Sequence, residues 1–162
     1  MNVKRLTELA LLSTVALIIF VIELRIPNPF PIPGVKLGLA NIITVYAVFC
    51  YRPSETAMIV TVRLLLGAIF SGNPSALLYS AAGAAACLCG MLLLRHIMPE
   101  KQIWLCSVVG AMLHNIGQIT AAVIIMQSFG VVAYLPILLV TGSLAGAFTG
   151  LCTQLLLNRI KR

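Results

Sequence analysis

The chain has 162 residues, 60% of them hydrophobic and 9% charged, and its mean hydropathy is +1.06. A soluble domain carries about 25% charged residues, so this composition excludes an ordinary soluble enzyme and points to an all-α integral membrane protein with a single transmembrane domain over 1–162. The formal net charge of +7 comes mainly from Lys and Arg in short loops and at the chain ends. There such residues set membrane topology, so the charge is no sign of nucleic-acid binding.

The first apolar run, 6–24, follows Lys4 and Arg5. It is as long as a full span and no A-x-A-like site follows it, so it reads as a retained signal anchor. Thr7 is its candidate cap, and Glu23 and Arg25 close it. Next comes a proline-rich lid, 25–36, in which Pro27, Pro29, Pro31 and Pro33 alternate. Alternating prolines exclude helix and favour a stiff, extended arm, and Gly34 allows it to turn. The second span, 37–51, is short against the ~20 residues that cross a bilayer. It is expected to be tilted, or to have its outer end buried in protein.

Arg52-Pro53-Ser54-Glu55 makes a tight turn, with Ser54 as candidate cap, into a third span, 55–70, that carries Arg63. The fourth span, 75–94, is rich in Ala and Gly. The fifth, 103–126, carries His114, Asn115 and Gln118. The sixth, 134–157, holds Gly142, Gly146 and Gly150, a repeated G-x-x-x-G. Small residues on the fourth and sixth spans allow backbones to approach closely, either within the bundle or against a partner. The five cysteines lie in or beside apolar segments and read as small helix residues rather than a disulfide or metal set.

Six spans place both termini on one side. Eight Lys/Arg (Lys4, Arg5, Arg52, Arg95, Lys101, Arg159, Lys161 and Arg162) fall on that side, against Arg25 and Lys36 on the other. The positive-inside rule then expects cytoplasmic termini and an extracytoplasmic lid.

Ionisable groups within spans are costly and face cavities or partners. Arg63 sits near mid-span, either as a structural clamp on carbonyls or on Glu23, or as a ligand contact. His114 and Gln118 are four residues apart and share a helix face, with Asn115 beside them. With Lys36 and Asn41 toward the outer side, these residues suggest a polar pocket under the lid. The candidate substrate-binding set is therefore Glu23, Lys36, Asn41, Arg63, His114, Asn115 and Gln118. Lys36 and Arg63 are anion contacts, Asn41, His114, Asn115 and Gln118 hydrogen-bonding groups, and Glu23 a brace for Arg63 or the lid.

The chain has no Asp, and its four Glu are scattered. Clustered carboxylates for magnesium-diphosphate chemistry are therefore missing, as are a G-x-x-x-x-G-K-[ST] loop and the C-x-x-C and H-E-x-x-H metal signatures. No catalytic residue, metal or cofactor is expected, and ATP hydrolysis by this chain alone is excluded by that route.

P-x-P-G-V-K-L-G-L-A-N at 31–41, Arg63, and H-N-I-G-Q at 114–118 resemble the Gx transporter family, which also carries the label heptaprenyl diphosphate synthase component I. The resemblance implies a six-helix bundle similar to the substrate-binding S components of energy-coupling factor (ECF) transporters. Such a component binds a small molecule under a loop between helices 1 and 2, while a membrane coupling subunit and two ATPases supply energy. Where such proteins often show A-x-x-x-A in helix 1, this chain has Ala10 with Thr14. The implied ligand is a small metabolite, anionic or related to vitamins or isoprenoids. The alternative is a non-catalytic membrane accessory or scaffold for prenyl-quinone synthesis or flavin-based extracellular electron transfer.

Overall fold

Among the described residues six α-helices follow one another: α1 Val3–Arg25, α2 Asn41–Cys50, α3 Pro53–Ser71, α4 Ser75–Leu94, α5 Ile103–Met126 and α6 Leu135–Ile160, with a 3-10 turn, Phe129–Tyr134, ahead of α6. The structure is a computed structural model and describes residues 2–25, 38–72, 75–99 and 102–160. Apart from Arg25, the expected lid lies outside the described residues, and so does Lys36. No strand occurs among the described residues.

Among the described residues five helices are long and apolar enough to cross a membrane, whereas α2 has only 10 residues. At 1.5 Å per residue α2 reaches ~15 Å, about half of a hydrocarbon core. The outward faces of the long helices are apolar at helical spacing. Leu11, Val15, Ile18 and Ile22 are exposed along α1, and Val140, Leu144, Phe148, Leu151 and Leu155 along α6. Stripes of large exposed apolar residues suit lipid, not water. The molecule is a multi-pass membrane protein.

Helix ends depart from the sequence reading in three places. α1 begins at Val3, and Thr7 lies inside it, its hydroxyl donating back to the Val3 carbonyl (3.1 Å). The start of α3 is capped at Arg52, not Ser54. Pro53 takes the first helical position, where its missing N–H costs nothing, and the Glu55 carboxylate accepts the Arg52 N–H at 2.9 Å. α2 begins at Asn41 rather than near 37. Gly38 has φ +70, and the Asn41 N–H bonds to its carbonyl at 2.9 Å, so a turn replaces the first helical residues.

The small residues of α4 and α6 both press on α5, which runs between them. A Cβ at Gly146 would lie 2.9 Å from the Ala111 Cβ and 2.9 Å from the Ser107 carbonyl oxygen, and one at Gly150 would lie 2.6 Å from the Trp104 Cα. Gly142 meets the Asn115 amide. On the other side, a Cβ at Gly117 would lie 2.8 Å from the Ala82 carbonyl and 3.0 Å from the Gly83 Cα. Of the two uses open to these faces, the chain employs them internally. Overpacking such a seam costs about 1–3 kcal/mol.

Short α2 is held by its neighbours. Its Thr44, Val45, Ala47 and Val48 are buried. The Thr56 hydroxyl of α3 donates to the Ala47 carbonyl (3.1 Å), and the Thr153 hydroxyl of α6 to that of Ile42 (3.3 Å). Arg95, just past α4, donates to the Val48 (2.8 Å) and Tyr51 (3.2 Å) carbonyls, closing the α2 C-terminus. Arg5 completes this end of the bundle. Its guanidinium pairs with both Glu55 oxygens (3.0 and 2.9 Å), reaches Glu8 (3.4 Å) and lies 4.1 Å over the Tyr51 ring. Arg5 and Arg95, read from sequence as topology charges, therefore also tie α1, α2, α3 and α4 together.

Candidate functional site

The opposite end of the bundle is open inside. A cavity of about 750 Å³ is lined by residues from all six helices and the 3-10 turn, within the ~300–1,000 Å³ typical of small-molecule sites. It lies where the C-termini of α1, α3 and α5 meet the N-termini of α2, α4 and α6, and it reaches inward to Met91, Ser107 and Thr149. Glu23, Asn41, Arg63, His114, Asn115 and Gln118 all line it.

The K-L-G-L-A-N segment supplies two of its contacts. The positive φ of Gly38 turns its N–H toward Glu23, whose carboxylate accepts it at 2.5 Å. Three residues on, Asn41 opens α2 and its side-chain oxygen accepts from Arg63 Nη1 at 3.1 Å. Glu23 thus holds the residue just past the lid. Among the described residues it forms no ion pair with Arg63, since the described ion pairs are Arg5–Glu8 and Arg5–Glu55. Arg63 is buried, with 8% of its surface exposed, ten residues beyond the start of α3. That places it ~15 Å from the charged end, at mid-membrane depth.

The H-N-I-G-Q segment divides its side chains between the walls of α5. Asn115 donates its amide to the Leu138 carbonyl of α6 at 2.5 Å, beside Gly142. His114 and Gln118 face α4, where Gly83 leaves room for them. A Cβ there would lie 2.7 Å from Gln118 Cγ and 3.1 Å from His114 Cε1. The glycine within the segment, Gly117, is the point of close approach to Gly83. Asn115 therefore braces α5 on α6, while His114 and Gln118 stand in the cavity wall.

Further polar groups line the cavity that sequence reasoning did not single out, among them Thr44 of α2, Tyr79 and Ser80 of α4, and Tyr134 of the 3-10 turn. Thr44 carries a signal, three residues from Asn41 on one helix face. Tyr79 carries another, one turn before Gly83. The deep wall is closed by Ser107 and Thr149, whose hydroxyls bond each other at 3.1 Å. Between the polar groups the lining is apolar, with Phe20, Leu64, Leu77, Ile119 and Leu138. Among the described residues no group of three or more His, Cys, Asp or Glu is placed to hold a metal ion. The walls offer one buried cation, one carboxylate, amides, hydroxyls and an imidazole. That set can bind and orient a molecule.

A family model described as heptaprenyl diphosphate synthase component I matches residues 12–156. The chain belongs to that family. The match takes in every described residue of the candidate site and the whole α4–α5–α6 seam, so the cavity lies within the family's shared region. No curated protein and no solved structure matches the chain.

Proposed function

We propose that this chain is the substrate-binding membrane component of an uptake system, similar in role to the S components of ECF transporters. It takes up a small metabolite, anionic or related to vitamins or isoprenoids. The observation that carries this reading is a cavity of about 750 Å³, lined from all six helices, with Glu23, Asn41, Arg63, His114, Asn115 and Gln118 in its walls. Intramembrane polar groups facing one chamber mark substrate sites in membrane proteins. The six helices form one transmembrane domain, with the termini and the charged end cytoplasmic and the cavity end facing outward from the cytoplasmic membrane of a bacterium. Energy comes from a separate coupling subunit and ATPases, since the sequence carries no phosphate-binding loop of its own.

The chain itself is non-catalytic in this reading. With no Asp in the sequence, it lacks the carboxylate clusters that hold magnesium against a diphosphate. The word "synthase" in the family description then refers to an assembly rather than to chemistry in this chain. The alternative of a scaffold acting through the small-residue faces has less support, because Gly146 and Gly150 are buried against α5.

The test is retention of a metabolite. Purified protein is incubated with an extract of its host's small molecules, washed, and the bound fraction identified by mass spectrometry. Wild type retains a specific compound, and a variant combining Arg63→Ala, His114→Ala and Gln118→Ala loses it. Equal retention by the folded triple variant removes this cavity as the site.

A further inference from the structure

We propose that the inner end of the cavity is a subsite for an apolar group. The ligand is then an elongated molecule whose polar part stops at mid-depth and whose apolar arm points toward the charged end of the bundle. This rests on the small-molecule-binding reading above and adds the shape of the ligand and the order of its parts.

The cavity is deep. Its lining runs from Leu77 to Met91 on α4, which is ~21 Å at the helical rise per residue. On α6 it runs from Leu138 to Thr149, or ~17 Å. A volume of about 750 Å³ spread over such a length makes a chamber longer than it is wide. Asn41, Arg63, His114 and Gln118 form a polar belt partway down it. Further in, the walls are Val45 of α2, Cys87 and Met91 of α4, Ala111 of α5, and Ala145 and Gly146 of α6. Each helix marks the step with one turn. Val45 is four residues past Asn41, and Ala111 is three before His114. Cys87 is four past Gly83, which faces His114 and Gln118, and Gly146 is four past Gly142, which faces Asn115.

The inner walls spend their polar hydrogens on one another. The Cys87 thiol donates to the Met91 thioether at 3.5 Å. The Thr149 hydroxyl donates to the Gly146 carbonyl at 3.2 Å, which leaves the Ser107 hydroxyl to donate to Thr149 at 3.1 Å. Both of these hydroxyl residues are buried. A polar guest at this end would have to break a bond already made, whereas carbon and sulfur surface is open to contact. Apolar chambers stay dry and take apolar guests, and a methionine in the wall adapts to their shape. Each methylene placed there strengthens binding roughly fourfold.

The test is a chain-length series on the full chain in phosphatidylcholine nanodiscs: butanamide, pentanamide, hexanamide and heptanamide. Thermal unfolding across a range of concentrations is the readout. The primary amide is constant and suits the amide and imidazole groups of the belt, so only the arm changes. Affinity is expected to rise roughly fourfold per added methylene. Ala145→Leu and, independently, Cys87→Leu fill the inner end. In either folded variant the gain from the longer amides disappears while butanamide still binds. Partition into lipid is common to wild type and variants, so their difference reports the cavity. Equal affinity along the series overturns the apolar subsite and leaves small-molecule binding standing. A gain undiminished in both filled variants places the arm elsewhere and overturns it as well. If no amide moves the midpoint, the subsite falls when wild type still retains a host metabolite, and the binding reading falls with it when wild type retains none.

Discussion

The two ends of the bundle use arginine in opposite ways. At one end Arg5 is surrounded by Glu55, Glu8 and the Tyr51 ring, and Arg95 is bonded to two carbonyls of the α2 terminus. Those charges have protein partners, and the helices they join are fixed. At the other end Arg63 has no ion pair among the described residues; it donates a hydrogen bond to Asn41, shares the cavity lining with the buried Glu23 and borders an open chamber. The difference teaches that a membrane arginine is read by its partners rather than by its depth. One with carboxylates around it is a rivet, and one that lines a cavity is the candidate for recognition in the proposed reading.

The comparison breaks most completely at what both ends share, the glycine seam of α6 on α5. Gly146→Leu inserts a branched side chain where even a Cβ would lie 2.9 Å from a backbone oxygen. It is expected to cost about 3 kcal/mol, seen as a large drop in thermal midpoint and in yield of monodisperse protein, with binding lost alongside. Next in size is Arg63→Gln. It removes a buried charge that lacks an ion pair, so stability holds or rises, while ligand retention falls at least tenfold in a binding titration. Glu55→Gln at the opposite end should do the reverse. It breaks the Arg5 pair and lowers the thermal midpoint by a few degrees, more at low salt than at high, with retention unchanged. The smallest effects belong to the lining hydroxyls. Tyr79→Phe or Thr44→Val each removes one hydrogen-bonding group, worth about 1 kcal/mol or roughly fivefold in affinity.

Much of this was legible in the sequence because membrane helices write their environment plainly. Apolar length marked the helices, and the small residues of the fourth and sixth pointed to close packing. The four-residue spacing of His114 and Gln118 placed both in one wall. What was not legible depends on partners distant in the chain. Asn41 is an ordinary helix-start residue until α3 brings Arg63 to it, and Glu23 could brace either Arg63 or the lid until the fold set it on Gly38. Tyr79 and Ser80 lie within the fourth span and drew no notice there, because only the packing of α4 on α5 turns their side of the helix to the cavity. Arg5 and Arg95 satisfied a topology rule so well that their hydrogen-bonding roles were hidden. Ser54 looked the better cap, but Pro53 at the first turn moved the cap to Arg52.

The central claim is that the Arg63 end of the bundle is a chamber for a small molecule. The most direct measurement is native mass spectrometry of the protein extracted gently from its own host's membranes, compared with the Arg63→Gln variant prepared in parallel. The account predicts a discrete small-molecule adduct on wild type that is absent from the folded variant. Wild-type protein that is folded, free of any adduct and instead bound to a prenyltransferase or redox protein would contradict it.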